Sequence, residues 1–285
     1  MTDIPLWRDG ASTKLAWLSA LQLPSLPWVK PFLPRLGLPQ AIVEHPEVLI
    51  PLHAQADQEF EAFYQANAGL GYVPGLEAHI AREVITGVLR RLAQEVGEQV
   101  AIDFERWARR HVVCREIDRG LRDWRRLLLH AYRFLIEDRQ FYQEHPEKAP
   151  PAPPEALVPL ILLTADLADI AKVDRLDAEI RHHAPPPTEE DAEGLDMSMD
   201  AMTVEFIINN EQTIAVLRSL AAHLNAEERA EAVAWATSQI NQYEGQTLSA
   251  LEECLQTEPP CSDVPPAIYS YGSSSTADHT DDTSP

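Results

Sequence analysis

The placement of proline is what most constrains the folds open to this chain. Twenty-three prolines stand against eleven glycines in 285 residues. Each one holds φ near about −65° and removes a backbone donor, so no long helix and no central strand can pass through a proline cluster. Eight fall within residues 1–51, at positions 5, 24, 27, 31, 34, 39, 46 and 51. Further groups lie between Pro146 and Pro154 and at Pro185 to Pro187. The stretches between these clusters are where regular structure has room to form.

Residues 1–51 interleave their prolines with Trp7, Trp17, Trp28 and Phe32. A helix fits only between Ser12, which can serve as an N-cap, and about Leu23. The rest is expected to lie in extended or polyproline form across a helical body, because the segment is too apolar for a solvated linker. The spacings Pro24 to Pro27 and Pro31 to Pro34 match a groove-binding pattern. In so proline-dense an arm that spacing arises without a recognition role.

From Leu52 the period becomes helical. Leu52, Ala56, Phe60 and Phe63 share a face, and Leu76, Ile80, Val84, Val88 and Leu92 share another, with Gly97 as a pause. The strongest pattern predicts one long helix over about Val100 to Tyr142, its apolar face carrying Val113, Ile117, Leu121, Trp124, Leu128, Ala131 and Leu135, and its end at His145-Pro146. A largely buried helix is expected from Pro159 to about Arg181. Met197, Met199 and Met202 cluster at the start of the next helix, where packing is a simpler role than an adaptable binding surface. Helices from Thr203 to Leu224 and from Ala226 to Gln256 form an antiparallel hairpin, with Asn225 and Glu228 spaced as a capping box.

The fold class read from these patterns is all-α: an irregular bundle of six or seven helices with a Pro/Trp-rich arm and a disordered C-terminal tail. By segment, 1–51 is the arm packed on the body and 52–181 the main helical domain. An acidic linker occupies 182–200, the helical hairpin 201–257 and a disordered acidic tail 258–285. No repeat of solenoid length appears.

Acidic residues outnumber basic ones 45 to 23, for a formal net charge of −22. A polyanion binder ordinarily carries the opposite excess, so nucleic-acid binding by the whole chain is disfavoured. The total conceals a segregation. Residues 82–139 hold 13 arginines and no lysine against 10 acids, whereas residues 194–285 hold 2 bases against 15 acids. At 100° per residue Arg115, Arg119, Arg122, Arg126 and Arg133 lie within about 40° of one line, opposite Trp124 and Leu128, and His111 extends the row by a turn. A solvated face, or neutralisation by the acidic helices at 155–181 and 226–256, accounts for such a row most simply. An acidic or phosphorylated protein partner is the functional reading, since guanidinium forks match carboxylate and phosphate alike.

Motifs for chemistry are absent. The chain has no Gly-x-Ser-x-Gly, no GxxxxGK[ST] and no GxGxxG. His79 with Glu83, and His53 with Asp57, are i, i+4 pairs of a kind that helical metal sites use, but such sites take Glu-x-x-His from each of two helices, the chain has one such run, Glu179 to His182, and His79 and Glu83 project away from the apolar side. His182 and His183 suit a helix C-terminus. Cys114 has cationic neighbours in sequence, yet a buried inert thiol is the simpler reading. Three cysteines without a CxxC pair point to a reducing cytoplasm, and no apolar stretch reaches the roughly 20 residues of a membrane span. No cofactor is expected. The sequence points to a non-enzymatic cytoplasmic interaction protein, an adaptor, assembly factor or regulator acting through a protein partner at Arg115, Arg119, Arg122, Arg126 and Arg133. The alternatives are a nucleic-acid-associated subunit using the same stripe and a metal- or haem-dependent helical enzyme.

Overall fold

The computed structural model describes residues 10–67, 76–113, 115–163, 170–187 and 197–239. The described residues are all-α, without a strand. The expected tail at 258–285, the second half of the last helix and residues 188–196 of the acidic linker lie outside them.

The N-terminal segment differs from the extended arm expected. Helix α1, Gly10–Gln22, is followed by short 3-10 helices at Leu23–Ser25 and Pro27–Arg35, by α2, Gln40–Glu44, and by a further 3-10 turn at Pro46–Val48. The φ of proline fits polyproline and 3-10 geometry alike, and the two differ only in ψ. Packing decides ψ here. With three to four residues between prolines, Val29, Phe32, Leu33 and Leu36 fall on one side and are buried, together with Trp17, Ala20 and Leu21 of α1. Gly37, at φ 69°, turns the chain at the end of this segment.

Helix α3, Leu49–Asn67, buries Leu49, Leu52, Ala56 and Phe60. Helix α4, Leu76–Val96, stops at Gly97, whose φ of 96° no β-carbon-bearing residue adopts cheaply. The single long helix predicted over 100–142 is instead a series: α5, Glu98–Ala108; a π-helical turn, Arg109–Val113; α6, Arg115–Tyr132; a second π turn, Arg133–Glu137; and α7, Arg139–Glu144, ending at His145. Each π turn holds extra residues, so the apolar face rotates relative to a continuous α-helix.

Helices α8, Val158–Leu163, and α9, Ile170–His183, occupy the region expected to be one buried helix. α9 is amphipathic rather than buried: Leu176 and Ile180 face inward, while Asp174, Arg175 and Glu179 are exposed. Met197 packs in the core at the approach to α10, Met199–His223, whereas Met199 is exposed. Ser198 Oγ accepts the Ala201 amide at 3.3 Å and caps this helix. The capping box before α11, Ala226–Gln239, forms as read: Asn225 Oδ1 accepts the amides of Glu227 and Glu228 at 2.9 and 3.0 Å, and the Asn225 amide donates to Glu228 Oε2 at 2.8 Å.

Two apolar cores result. The first joins the N-terminal segment, α3, α4, α5, the end of α9 and the first turns of α10. The second joins α6, α8, the later turns of α10 and α11. Among the described residues, only the α5 to α6 series and α10 contribute large buried side chains to both: Phe104 and Trp107 against Leu121 and Trp124, and Val204, Ile207 and Ile208 against Ile214 and Leu217.

Trp107 also secures the N-terminal segment, because its Nε1 donates to the Leu36 carbonyl at 2.7 Å in a buried position. Trp124 is as deeply buried, but its Nε1 has no hydrogen-bond partner. Trp107→Phe, which orphans the Leu36 carbonyl, is expected to cost about 1–3 kcal/mol beyond the change of shape. Trp124→Phe should cost less, and parallel urea denaturation of the two variants measures the difference.

Candidate functional site

Arg115, Arg119, Arg122, Arg126 and Arg133 sit in α6 or at the first position of the π turn that follows. The side chains of Arg115 and Arg119 lie outside the described set. Arg122, Arg126 and Arg133 are exposed, opposite the buried Leu121, Trp124 and Leu128. The 3.6-residue period puts the two sets on opposite sides of α6, and the side that fills the second core leaves the arginine side to solvent. Arg126, with 78% of its side chain exposed, stands 3.6 Å from Asp123. Arg133, 56% exposed, stands 3.6 Å from Glu137. Both partners are on the same helical stretch. Arg122 lies 5.3 Å from the centroid of the Phe206 ring on α10 and so links the two helices through a cation–π contact.

An opposite charge on another element acts one residue away from the stripe. Arg125 points inward, where burial lowers its guanidinium pKa and the charge of Glu205 on α10 raises it again. Glu205 is pushed upward, first by burial and then by the nearby Asp177 carboxylate, against the opposing charges of Arg125 and Arg181.

Beside Arg126 a cleft of about 330 Å³ opens between α6, the proline connector and α11. Leu127, Ala131, Phe134, Pro151 and Trp235 supply its apolar lining, and Asp123, Arg126, His130 and Gln239 its polar lining. Trp235 Nε1 donates to the Pro151 carbonyl at 3.3 Å and so ties the connector to α11. Cation, imidazole and aromatic surface thus meet around a volume that suits a single large side chain. Sequence spacing did not bring Trp235 and Pro151 to Arg126, because they lie more than 20 residues away and tertiary packing alone unites them.

His111 does not extend the arginine row. Its side chain is fully buried, and its Nε2 lies 2.6 Å from Glu211 Oε1 on α10. The π turn is the cause: the added residues swing position 111 out of register with α6 and toward the junction of the two cores. Arg110 Nη2 donates to the same Glu211 oxygen at 2.8 Å, and neighbouring Arg109 grips Glu105 at 2.7 to 2.8 Å while lying over Trp17. This part-buried polar seam, continued by Asn209, Asn210 and Thr213 on α10, joins the π turn to α10. Its signal in the sequence is the run Asn209-Asn210-Glu211-Gln212-Thr213, which interrupts an otherwise apolar helix.

The remaining candidates carry no further chemistry. His79 and Glu83 are exposed as expected. Asp57 lies 3.6 Å from Lys14. His182 and His183 end α9, and His183 packs edge-on against Phe32 at 5.7 Å. Cys114 lies outside the described residues. Among the described residues no group of three or more His, Cys, Asp or Glu side chains converges to hold a metal ion, and no helix is long and apolar enough to cross a membrane. Comparison with protein-family models, curated proteins and solved structures finds no match.

Two tests address the seam. Burial raises the Glu211 pKa, but the His111 hydrogen bond and the charges of Arg110, His111 and Arg218 outweigh it, leaving the carboxyl below its ordinary 4.5. A carboxyl depressed by folding stabilises fully above its unfolded value and loses that contribution as pH falls through the folded one. Glu211→Gln is expected to cost about 1.5–3 kcal/mol at pH 7, and the gap from wild type should close in chemical denaturation series run below pH 4.5. A β-carbon at Gly37 would overlap the Glu211 carboxylate, whereas at Gly97 it meets nothing within 4 Å. Both substitutions to alanine carry the roughly 1–2 kcal/mol of a left-handed backbone. Gly37→Ala should cost distinctly more, and thermal denaturation of the pair reads the difference.

Proposed function

We propose that this chain is a non-enzymatic interaction protein that binds an acidic protein partner through the arginine face of α6. The observation that supports the reading is the exposure of Arg126, which lines a part-apolar cleft with Phe134 and Trp235, on a helix that also carries Arg115, Arg119 and Arg122, with Arg133 directly after it. An apolar anchor in the cleft beside a carboxylate on Arg126 would combine a desolvated contact with a charge-assisted one, the arrangement that concentrates binding energy at interfaces. RNA or DNA is the competing partner for the same arginines. The field of a chain carrying −22 opposes its approach, whereas a short acidic segment meets mainly the local cations.

Arg126→Glu with Arg133→Glu tests the proposal without disturbing the fold, since both side chains are more than half exposed and their ion-pair partners sit on the same helical stretch. The full chain and this double variant would be compared by quantitative affinity capture, with and without nuclease. The expected outcome is a stoichiometric protein partner, retained after nuclease treatment, whose binding falls at least tenfold in the variant and weakens as salt rises. Equal binding by the variant removes the arginine face from the interaction. Loss of binding on nuclease treatment assigns the face to nucleic acid instead.

A further inference from the structure

The proline connector has a backbone form dictated by its own sequence. Ala149–Pro154 joins two short 3-10 turns, Pro146–Lys148 and Glu155–Leu157, and is itself neither helix nor strand. Four of its residues, Ala149, Pro150, Ala152 and Pro153, precede a proline and are held out of the helical region. Ala149 has φ −66° and ψ 131°, and Pro154 has φ −51° and ψ 143°, both near the polyproline II values of about −75° and 145°. Such a helix has about three residues per turn, so every third side chain shares a ridge. One ridge turns toward the fold, with Pro153 buried and Pro150 half-buried. The next faces outward, with Pro151 exposed and Pro154 half-buried. The Trp235 hydrogen bond to the Pro151 carbonyl holds the middle of the segment, and the buried Leu157 anchors its far end. The form is thus fixed before any partner arrives, which lowers the ordering cost of binding.

We infer that Lys148–Pro154 is a docking epitope for a protein domain with an aromatic-walled groove for polyproline II, which takes the Pro151 and Pro154 ridge and sets a carboxylate against Lys148. Lys148 stands three residues before Pro151 and is exposed, its ammonium 5.5 Å from the centroid of the Phe141 ring. The ring covers one side of the ammonium, and a group with three N–H donors keeps others for a carboxylate. A charge at one end of the ridge selects the direction in which it lies in the groove. The N-terminal prolines of equal spacing present no such surface. Pro24 is buried, and Pro31 and Pro34 lie inside the 3-10 helix Pro27–Arg35. A 3-10 helix rises about 2.0 Å per residue and polyproline II about 3.1 Å, so prolines three apart are separated along the axis by about 6 Å in one and about 9 Å in the other. A groove cut for the longer step does not accept the shorter.

The test uses the full chain, with a purified SH3 domain of the kind that takes a basic residue three positions before its first proline as the probe. Isothermal titration calorimetry is expected to show saturable one-to-one binding. Pro151→Ala with Pro154→Ala should weaken it by about tenfold or more. Lys148→Glu changes an exposed side chain and leaves every proline in place. It should weaken binding by about fivefold, by less as salt rises. Pro31→Ala with Pro34→Ala should leave binding unchanged, and thermal denaturation midpoints show that each variant is folded. Absence of saturable binding by the unaltered chain overturns the inference, as does full affinity in either the Pro151/Pro154 or the Lys148 variant. Loss of binding in a folded Pro31/Pro34 variant also overturns it, because proline spacing and not backbone form would then be what the domain reads.

Discussion

Glu211 sits at the one place where three distant parts of the chain have to meet. Its carboxylate accepts from Arg110 and His111 on the π turn and lies directly beneath Gly37 at the end of the N-terminal segment. A carboxylate removed from water is costly unless charged and hydrogen-bonding groups replace its hydration. The site supplies a guanidinium and an imidazole on one side and space without a β-carbon on the other. Those demands fix the rotation of α10 relative to the π turn. They also hold the Gly37 turn close, and the burial of Phe32, Leu33 and Leu36 requires that closeness.

Both cores depend on this junction. α10 gives its first turns to one core and its later turns to the other, and the α5 to α6 series does the same from the facing side. Two long elements that each serve two cores would slide or rotate freely if their contact were apolar throughout, since apolar packing is non-directional. The polar seam between Ile208 and Ile214 supplies direction. With the register set there, the second core takes Leu121, Trp124 and Leu128, and Arg122, Arg126 and Arg133 are left facing solvent. The exposure of the arginine face thus follows from the ion pairs one turn earlier, at Arg110 and His111.

Much of this was legible in the residues. The capping box at Asn225 and Glu228, the break at Gly97, the end at His145-Pro146 and the apolar faces of α3, α4 and α6 are local features, set by interactions spanning about four residues. Other features were not. The N-terminal segment reads as extended because proline specifies φ and leaves ψ open, and ψ was chosen by contacts with α3, α5 and α10. His111 reads as part of the arginine row because a 100° step assumes an uninterrupted α-helix. The cleft beside Arg126 was invisible, since Trp235 and Pro151 approach it from elsewhere in the chain.

What the sequence determined by itself is therefore the all-α class, the ends of most helices and the segregation of arginine onto one helix of an acidic chain. Periodicity, capping and charge placement act within a turn or two, so they survive translation into structure without knowledge of any partner element. Tertiary structure alone decided the π turns, the two cores and the part-buried Glu211 seam. It also decided which arginines stay in water and which, like Arg125, turn inward beside a carboxylate. The physical reason is the same in each case: a backbone ψ, a helical register or a buried charge is settled by the lowest total cost of desolvation and packing. That cost is defined only when residues far apart in sequence have come into contact.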